Sequence, residues 1–447
     1  MKVAVVGGGV TGIAAALEAA DRGADVLLFE AGDRLGGCLA THREGSFLFE
    51  DGPNSIPASD DAFRWLCTAL GLDDAMIASR TDASVRRLHH DGRLRVVPTG
   101  PFAMLKSPLV GLRGLYALWR EGRRPGRPRS DDETVDAFMR RRFGDRLTDT
   151  FLDAVIAGIW AGDPKRLGVA SAFPELVAME AEYGGVLRGL RARRARGKSR
   201  AEGLVTLRDG LGTIASAARA RFGGSVRCGA RVASWTAHGR GWRLRVASPE
   251  GEIPCDADAI VCAVPSRSAV SLMTSLPGIS VPPSPPTAGM AVVQLGYDAD
   301  SAPSLPRGFG WLVPRRSGLR TLGCMVVSDI FDGRAPRGGV ALGVFFGGTR
   351  DPEALIMDDD RLKTLALDEL RMVVGGSATS VPRLARVVRW RDAVPQPPPG
   401  HADAVAAMRA SLRRHAPRCA VAGAWVDGVA VGRCIESGRT AAREVLA

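Results

Sequence analysis

Lysine is nearly missing from this chain. Of its 60 basic residues only five are lysine and the rest arginine, against 48 acidic residues, giving a formal net charge of +12 over 447 residues. That skew is typical of GC-rich coding and not of a nucleic-acid surface, so no nucleic-acid partner is expected. Histidine is scarce as well, six in all and in no metal-ligand spacing, and the eight cysteines (38, 67, 228, 255, 262, 324, 419 and 434) include no C-x-x-C pair. In a chain of this size they read as reduced thiols, which excludes a disulfide framework and a zinc site; no metal is expected. No window approaches the roughly 18 uninterrupted apolar residues of a spanning helix. Met1-Lys2 leads straight into the strand-like Val3–Val6 without a small-residue cleavage site, so no leader is expected and the cytosol is the expected location. Disorder is excluded too: 45% of residues are apolar, 24% are charged, and the length corresponds to about three domains of roughly 150 residues.

What is present is unevenly spread. Between Thr99 and Ser130 stand Lys106, Arg113, Arg120, Arg123, Arg124, Arg127 and Arg129 against a single acid, Glu121. Residues 188–200 add seven basic residues and no acid. Solvated loops and a positive face for an anionic substrate or an acidic membrane both fit these blocks. The first is interleaved with Phe102, Met104, Leu105, Leu109, Leu112, Leu115 and Trp119, the composition of a segment that lies in a membrane interface without spanning it. The competing reading packs the same leucines inside a helical domain.

The first forty residues carry the clearest chemistry. Lys2–Val6 reads as a buried parallel strand, Ile13–Arg22 as a helix, and Asp25–Phe29 as a second strand ending on Glu30. Between the first strand and the helix runs Gly7-Gly8-Gly9-Val10-Thr11-Gly12, with Gly7, Gly9 and Gly12 in G-x-G-x-x-G spacing. Gly7 permits the tight turn, Gly9 lets backbone approach a pyrophosphate, and Gly12 allows close packing of helix on strand. The helix N-terminus offers unpaired N–H groups to phosphates, and Glu30 suits a ribose hydroxyl while disfavouring a 2′-phosphate. Arg34-Leu35-Gly36-Gly37 and then Gly52-Pro53-Asn54-Ser55 extend the signature and select FAD over NAD.

Further along, Asp61–Leu72 reads as an amphipathic helix with Phe63, Leu66, Cys67 and Leu70 on one face. Trp242, Leu244 and Val246 alternate as a half-buried strand, and Ala259–Val264 as a buried one. Prolines 277, 282, 283, 285 and 286 mark a crossing to another domain. Residues 288–400 are strand-rich, with a helix near Asp360–Val373. The chain closes on Ala422–Val431, a glycine turn, and a helix through Arg439–Leu446 that starts at the flavin and turns its positive end toward the reduced ring.

Together these segments resemble the protoporphyrinogen oxidase family, within the FAD-dependent amine oxidases and carotene desaturases. The resemblance rests also on Ser84–Pro98, on Thr134–Pro174 with its Ala161-Gly162-Asp163, on Gly308–Pro314, Gly347-Gly348, Arg389-Trp390 through Pro395-Gln396, and Gly428–Gly438. Pro397 and Ala424 depart from the family's frequent tyrosine and asparagine. The implied fold class is α/β (α+β overall): a Rossmann-like FAD-binding domain (1–75, 205–275 and 400–447), a mixed-sheet substrate domain (76–98 and 276–399), and a helical, basic, membrane-associating domain (99–204). The implied reaction takes a porphyrinogen to a porphyrin by removing six electrons in three two-electron steps, with molecular oxygen as final acceptor. Hydride passes to the flavin, so no catalytic side chain is assigned. The implied substrate residues are Arg86 for a propionate and Phe309, Leu312 and Phe345 for the apolar macrocycle. For non-covalent FAD they are Gly7, Gly8, Gly9, Val10, Thr11, Gly12, Glu30, Arg34, Gly36, Gly37, Gly52, Pro53, Asn54, Ser55, Val232, Trp390, Ala424, Val429, Ala430 and Val431. Coproporphyrinogen in place of protoporphyrinogen, another oxidase on this fold, and a non-catalytic flavin-binding protein stay open, as do a homodimer and an anionic membrane surface as partners.

Overall fold

The structure is a computed structural model that describes residues 1–128, 130, 132–195, 203–249, 251–375 and 380–447. Of the two basic blocks, Arg129 and residues 196–200 therefore lie outside the described residues.

A five-stranded parallel sheet brings together Val226–Arg227, Asp25–Phe29, Lys2–Val6, Ala259–Cys262 and Cys419–Val421, in that order. Alternation along Lys2–Val6 explains why the strand is apolar throughout. Val3 and Val5 face one core with helices Val10–Asp21, Asp61–Ala69 and Val431–Leu446, and Ala4 and Val6 face another. The second core includes Trp242, Leu244 and Val246 of the antiparallel meander 231–257, and Met408 and Leu412 of helix His401–His415.

A seven-stranded mixed sheet follows the order Leu384–Pro395, Thr287–Tyr297, Val340–Gly347, Gly323–Met325, Gly310–Leu312, Arg86–His90, Arg93–Val96. One face, with Ala291, Val293, Leu295, Val344 and Phe346, packs on Leu362, Ala366 and Leu370 of helix Asp359–Val374. The opposite face looks toward the parallel-sheet half.

The third layer is helical. Gly111–Glu121, Val135–Leu147, Asp153–Trp160, Pro174–Tyr183 and Val186–Ala195 enclose Phe138, Ile156, Trp160, Val177 and Met179. Beneath them lies an ion-pair network. Arg142 and Glu121, both with 1% or less of their surface exposed, are paired, and Glu121 also accepts the backbone N–H of Val186 at 2.9 Å. Glu180 binds Arg142 at 3.3 Å and Arg141 at 2.6 Å, and Arg141 reaches Glu133 as well.

Three expected boundaries shift. The first helix begins at Val10, because Gly9, in extended conformation, already stands at its N-cap and the glycine turn runs straight into the first turn. The amphipathic helix stops at Ala69, with Leu70 half-buried beyond its last turn. The closing helix begins at Val431, eight residues before the expected Arg439, and the segment before it is a short helix, Ala424–Asp427. The basic, apolar stretch after Thr99 is likewise two helices, Pro101–Lys106 and Gly111–Glu121, and Leu109 between them is fully buried.

Candidate flavin and substrate site

The C-terminal ends of parallel strands are where an open sheet offers a ligand crevice, and a cleft of about 370 Å³ opens there. Nine expected cofactor residues line it: Gly7, Gly9, Val10, Thr11, Glu30, Gly36, Gly37, Val232 and Ala424. Gly7 takes φ +107°, and a Cβ at Gly12 would collide with the Gly7 carbonyl, so neither position accepts a larger residue without moving the turn. A Cβ at Gly9, by contrast, would meet nothing within 4 Å. That open space sits at the N-terminus of a helix with no side-chain cap and no acid in its first turn. The pair Gly36-Gly37 folds over the same turn, Gly36 N–H donating to the Gly8 carbonyl at 2.8 Å.

Glu30 accepts the backbone N–H of Gly8 and of Gly32, each at 2.7 Å, one per oxygen. Each carboxylate oxygen retains acceptor capacity for a hydroxyl. Gly8 and Gly12 pack behind the cleft without lining it. Arg34 lies outside: its guanidinium donates to the carbonyls of Leu35, Leu39 and Gly37, bracing the second glycine loop.

Gly52, Pro53, Asn54, Ser55, Trp390, Val429, Ala430 and Val431 do not line this cleft either. Of these, Trp390 stands on the mixed sheet and Val431 opens the closing helix. Trp390 donates its indole N–H to the Asp51 carbonyl at 2.7 Å, Arg386 pairs with the Asp51 carboxylate, and Gln294 donates to the Glu50 carbonyl at 2.9 Å. Three residues of the mixed sheet thus hold the turn that leads into Gly52–Ser55. Glu50 itself is buried, and that burial pushes its carboxyl up to about 7, although it accepts hydrogen bonds from Leu211 and Thr41.

The sheet face that carries Trp390 also carries three of the four expected substrate residues, Phe345, Leu312 and Arg86. Phe345 pairs with Val292 on one side and Gly323 on the other, and Gly323 pairs with Leu312, so these positions share a face; Gly323 is needed there because a Cβ would lie 2.5 Å from the Trp311 carbonyl and 3.4 Å from Leu312 Cδ2. Leu312 meets helix Asp153–Trp160 at Gly158, where a Cβ would lie 2.8 Å from its Cδ2. Arg86 pairs with Gly310 in the neighbouring strand and stands on this face, its guanidinium 4.9 Å from the centre of the Phe309 ring. It is exposed and has no acidic partner among the described residues. Five strand spacings of about 4.8 Å put its strand roughly 24 Å from that of Trp390. Phe309, next to two positive-φ glycines, Gly308 and Gly310, leaves the alternation and packs with Phe331 and Ile330.

Sequence reasoning missed other walls of the cleft. Ala263, Val264, Pro265 and Ser266 extend from the end of strand Ala259–Cys262, and Cys38, Cys434 and Trp425 complete the middle. The first group was legible as the carboxyl end of a buried parallel strand. Trp425 is buried and its Nε1 has no partner among the described residues, a free donor on the wall of the cleft. A wider opening of about 650 Å³ lies elsewhere, around Arg307, Asp329, Arg334 and Arg337, and shares no residue with the glycine motifs.

Comparison with known proteins gives the family. The pattern of the flavin containing amine oxidoreductases matches residues 10–446. The chain belongs to that family. Its relatives include porphyrinogen oxidases: it is 30% identical to protoporphyrinogen oxidase 1, chloroplastic, of Spinacia oleracea over 99% of this chain and 83% of that protein. Coproporphyrinogen III oxidase of Bacillus subtilis (strain 168) is 25% identical over 99% of this chain and 97% of its own length. A solved structure from Exiguobacterium sp. 255-15 superposes with a TM-score of 0.82 at 24% identity, covering 99% and 98% of the two chains. As a member of the flavin containing amine oxidoreductases, the chain is a flavin-dependent oxidoreductase. The open Gly9 cradle, the uncapped helix and the unpartnered Trp425 donor fit such a group. Among the described residues there is no cluster of metal-ligating side chains, and no helix is long and apolar enough to cross a membrane.

Proposed function

We propose that this flavin oxidoreductase oxidises protoporphyrinogen IX to protoporphyrin IX, with FAD held non-covalently and molecular oxygen as final acceptor. The observation that carries the reading is the shared sheet face: an apolar surface anchored to the Asp51–Ser55 turn at one end and ending on the unpaired Arg86 at the other. A flat macrocycle with carboxylate arms has the same polarity, apolar in the middle and anionic at one rim. Bound FAD supplies the two-electron acceptor.

The chain's own residues bind, orient and exclude water. Arg86 grips a propionate, a task suited to the two parallel donors of a guanidinium. Leu312 and Phe345, on one face of the mixed sheet, hold the ring system, and Trp390 and Arg386 fix the turn that the cofactor follows. Holding the reacting carbon in place substitutes for an acid–base pair, and none is assigned. Glu30 takes the adenosine ribose, and the backbone of Gly9–Gly12 takes the pyrophosphate. Burial pushes the Cys434 thiol up to about 12, so it stands in the cleft as a neutral thiol, in keeping with a cofactor that is not covalently attached.

Exposed Phe102, Leu105, Leu112, Tyr116 and Trp119, on two successive helices of the basic segment, support a peripheral contact with an anionic membrane from which an apolar substrate arrives.

Anaerobic mixing tests the enzyme reading. The yellow flavin bleaches on addition of protoporphyrinogen IX and recovers with air, and porphyrin fluorescence grows faster than with coproporphyrinogen III. The reverse preference would reassign the substrate, and failure to bleach with either would remove the porphyrinogen reading. Arg86→Ala lowers kcat/KM roughly 5- to 150-fold, the loss of about 1 to 3 kcal/mol of charged hydrogen bonding, with flavin content unchanged. Acid precipitation releases the yellow colour into the supernatant.

A further inference from the structure

A second cavity, of about 330 Å³, lies in the helical layer and is lined almost wholly by arginine: Arg120, Arg124, Arg127, Arg140, Arg141 and Arg142, with Pro125. Six guanidinium groups around one opening repel one another unless acids or a ligand compensate them. Three are compensated within the protein. Arg140 binds Asp136, Asp145 and Asp149, while Arg141 and Arg142 share Glu133, Glu121 and Glu180. The other three, Arg120, Arg124 and Arg127, have no acidic side chain within ion-pair distance among the described residues.

The loop that carries two of them is held from below. Arg142 donates to the Pro125 carbonyl at 3.1 Å, Arg188 donates to the Arg124 carbonyl at 3.0 Å, and a Cβ on Gly126 would press on the Glu180 carbonyl at 2.7 Å. The backbone is thus fixed before any ligand arrives, so less ordering is needed on binding. Arg124 is half-buried, and burial together with Arg120 and Arg142 disfavours its charge against a smaller opposing pull from Glu121.

We propose that Arg120, Arg124 and Arg127 form a seat for a phosphate group, and that this phosphate belongs to the headgroup of an anionic lipid. The lipid source follows from what lies beside the seat. Arg120 belongs to the same helix as Leu112, Tyr116 and Trp119, which are 85%, 59% and 56% exposed, and Phe102 in the preceding helix is 82% exposed. Tyr116 and Trp119 stack at 5.8 Å, and Arg123 covers the Trp119 ring at 4.0 Å. Apolar side chains to enter the acyl boundary and a cationic seat adjoin on one helix, as an interfacial site requires. The inference rests on the peripheral membrane contact proposed above and adds a specific headgroup contact to it.

The test uses the flavin-loaded full chain and three proteins: wild type, Arg120→Gln/Arg124→Gln/Arg127→Gln, and a charge-matched control, Lys106→Gln/Arg113→Gln/Arg123→Gln. Flavin content reports that each is folded. Partitioning onto phosphatidylcholine vesicles doped with phosphatidylglycerol is measured by sedimentation. Diffuse attraction contributes roughly fivefold per basic residue, on the order of 100-fold for the three removed in either variant; a specific seat adds to this in the cavity variant alone, which should lose at least tenfold more than the control. Equal losses in the two variants would mean diffuse electrostatics and would overturn the seat while leaving the membrane contact standing. Absence of wild-type partitioning would overturn the contact itself. Free glycerol 3-phosphate provides the remaining arm: saturable thermal stabilisation that the cavity variant lacks, without vesicle binding, would assign the seat to a soluble phosphate and overturn the lipid.

Discussion

Around the glycine-rich turn, the polar groups that matter belong to the backbone and to a single carboxylate. In the helical layer they belong to side chains 21 and 38 positions apart. The first region satisfies itself through Gly8, Gly32, Gly36 and one carboxylate, Glu30, and leaves helix N–H groups open for a ligand. The second buries Arg142, Glu121 and Glu180 outright and closes their charges on one another. Sites built from glycine and backbone tolerate no added atom, whereas those built from buried ion pairs tolerate no lost charge. The two regions therefore break in different ways.

The largest effect is expected in the first. Gly12→Ala drives a methyl into the Gly7 carbonyl, and the purified protein should carry flavin only at background, as read by absorbance per chain. Retention of full flavin would mean that the turn has slack and would end the contrast.

In the helical layer, Glu121→Gln leaves Arg142 buried with one of its two carboxylates. A loss of about 3 to 5 kcal/mol in unfolding free energy is expected, measured by denaturant titration at fixed flavin saturation. A loss below about 1 kcal/mol would show that the network is replaceable.

Glu50 sharpens the comparison, because it is a buried carboxyl in the backbone-built half with no cation hydrogen-bonded to it. Its folded pKa, about 7, lies above the ordinary 4.5. The folded protein thus holds a proton that the unfolded chain releases, and stability falls as pH rises from about 4.5 to about 7, by on the order of 2 to 3 kcal/mol. Glu50→Gln should flatten that slope when unfolding is followed across the range; an unchanged slope would assign it to other groups.

The smallest effect concerns Ala161, which ends helix Asp153–Trp160 in the left-handed region at φ +49°. Ala161→Gly relieves a conformation that costs an L-residue about 1 kcal/mol and should raise the melting temperature by a few degrees or less, with flavin content constant. A fall would show that the Ala161 methyl contributes more in packing than the backbone loses in strain.

The contrast also explains what could be read from the chain. Strand, glycine turn, helix, strand and Glu30 lie within the first thirty residues, and their order was legible there; that the stretches 205–275 and 400–447 belong with them was reached through family resemblance. Glu121 shows the opposite case. In sequence it is the lone acid of a basic run and suggests a solvated residue; in the fold it is fully buried, because its partner Arg142 comes from the next long helix. Leu312 and Phe345 are 33 positions apart and adjoin only across Gly323, a pairing that no spacing encodes. They were reached through family resemblance. The same holds for Leu109, which belongs by spacing to the exposed apolar series and by fold to the core.

The last strand and the last helix of the chain complete the first ones. Strand Cys419–Val421 adds the outer edge of the parallel sheet, and helix Val431–Leu446 lies so close on the first helix that a Cβ at Gly438 would strike the Thr11 carbonyl. Ile13, Ala14 and Leu17 are thus covered by a helix that lies, in chain order, beyond both the helical layer and the mixed sheet. The glycine-turn half closes by docking two distant stretches of sequence on each other, so cutting the chain ahead of Cys419 would uncover an apolar helix and leave its turn unsupported.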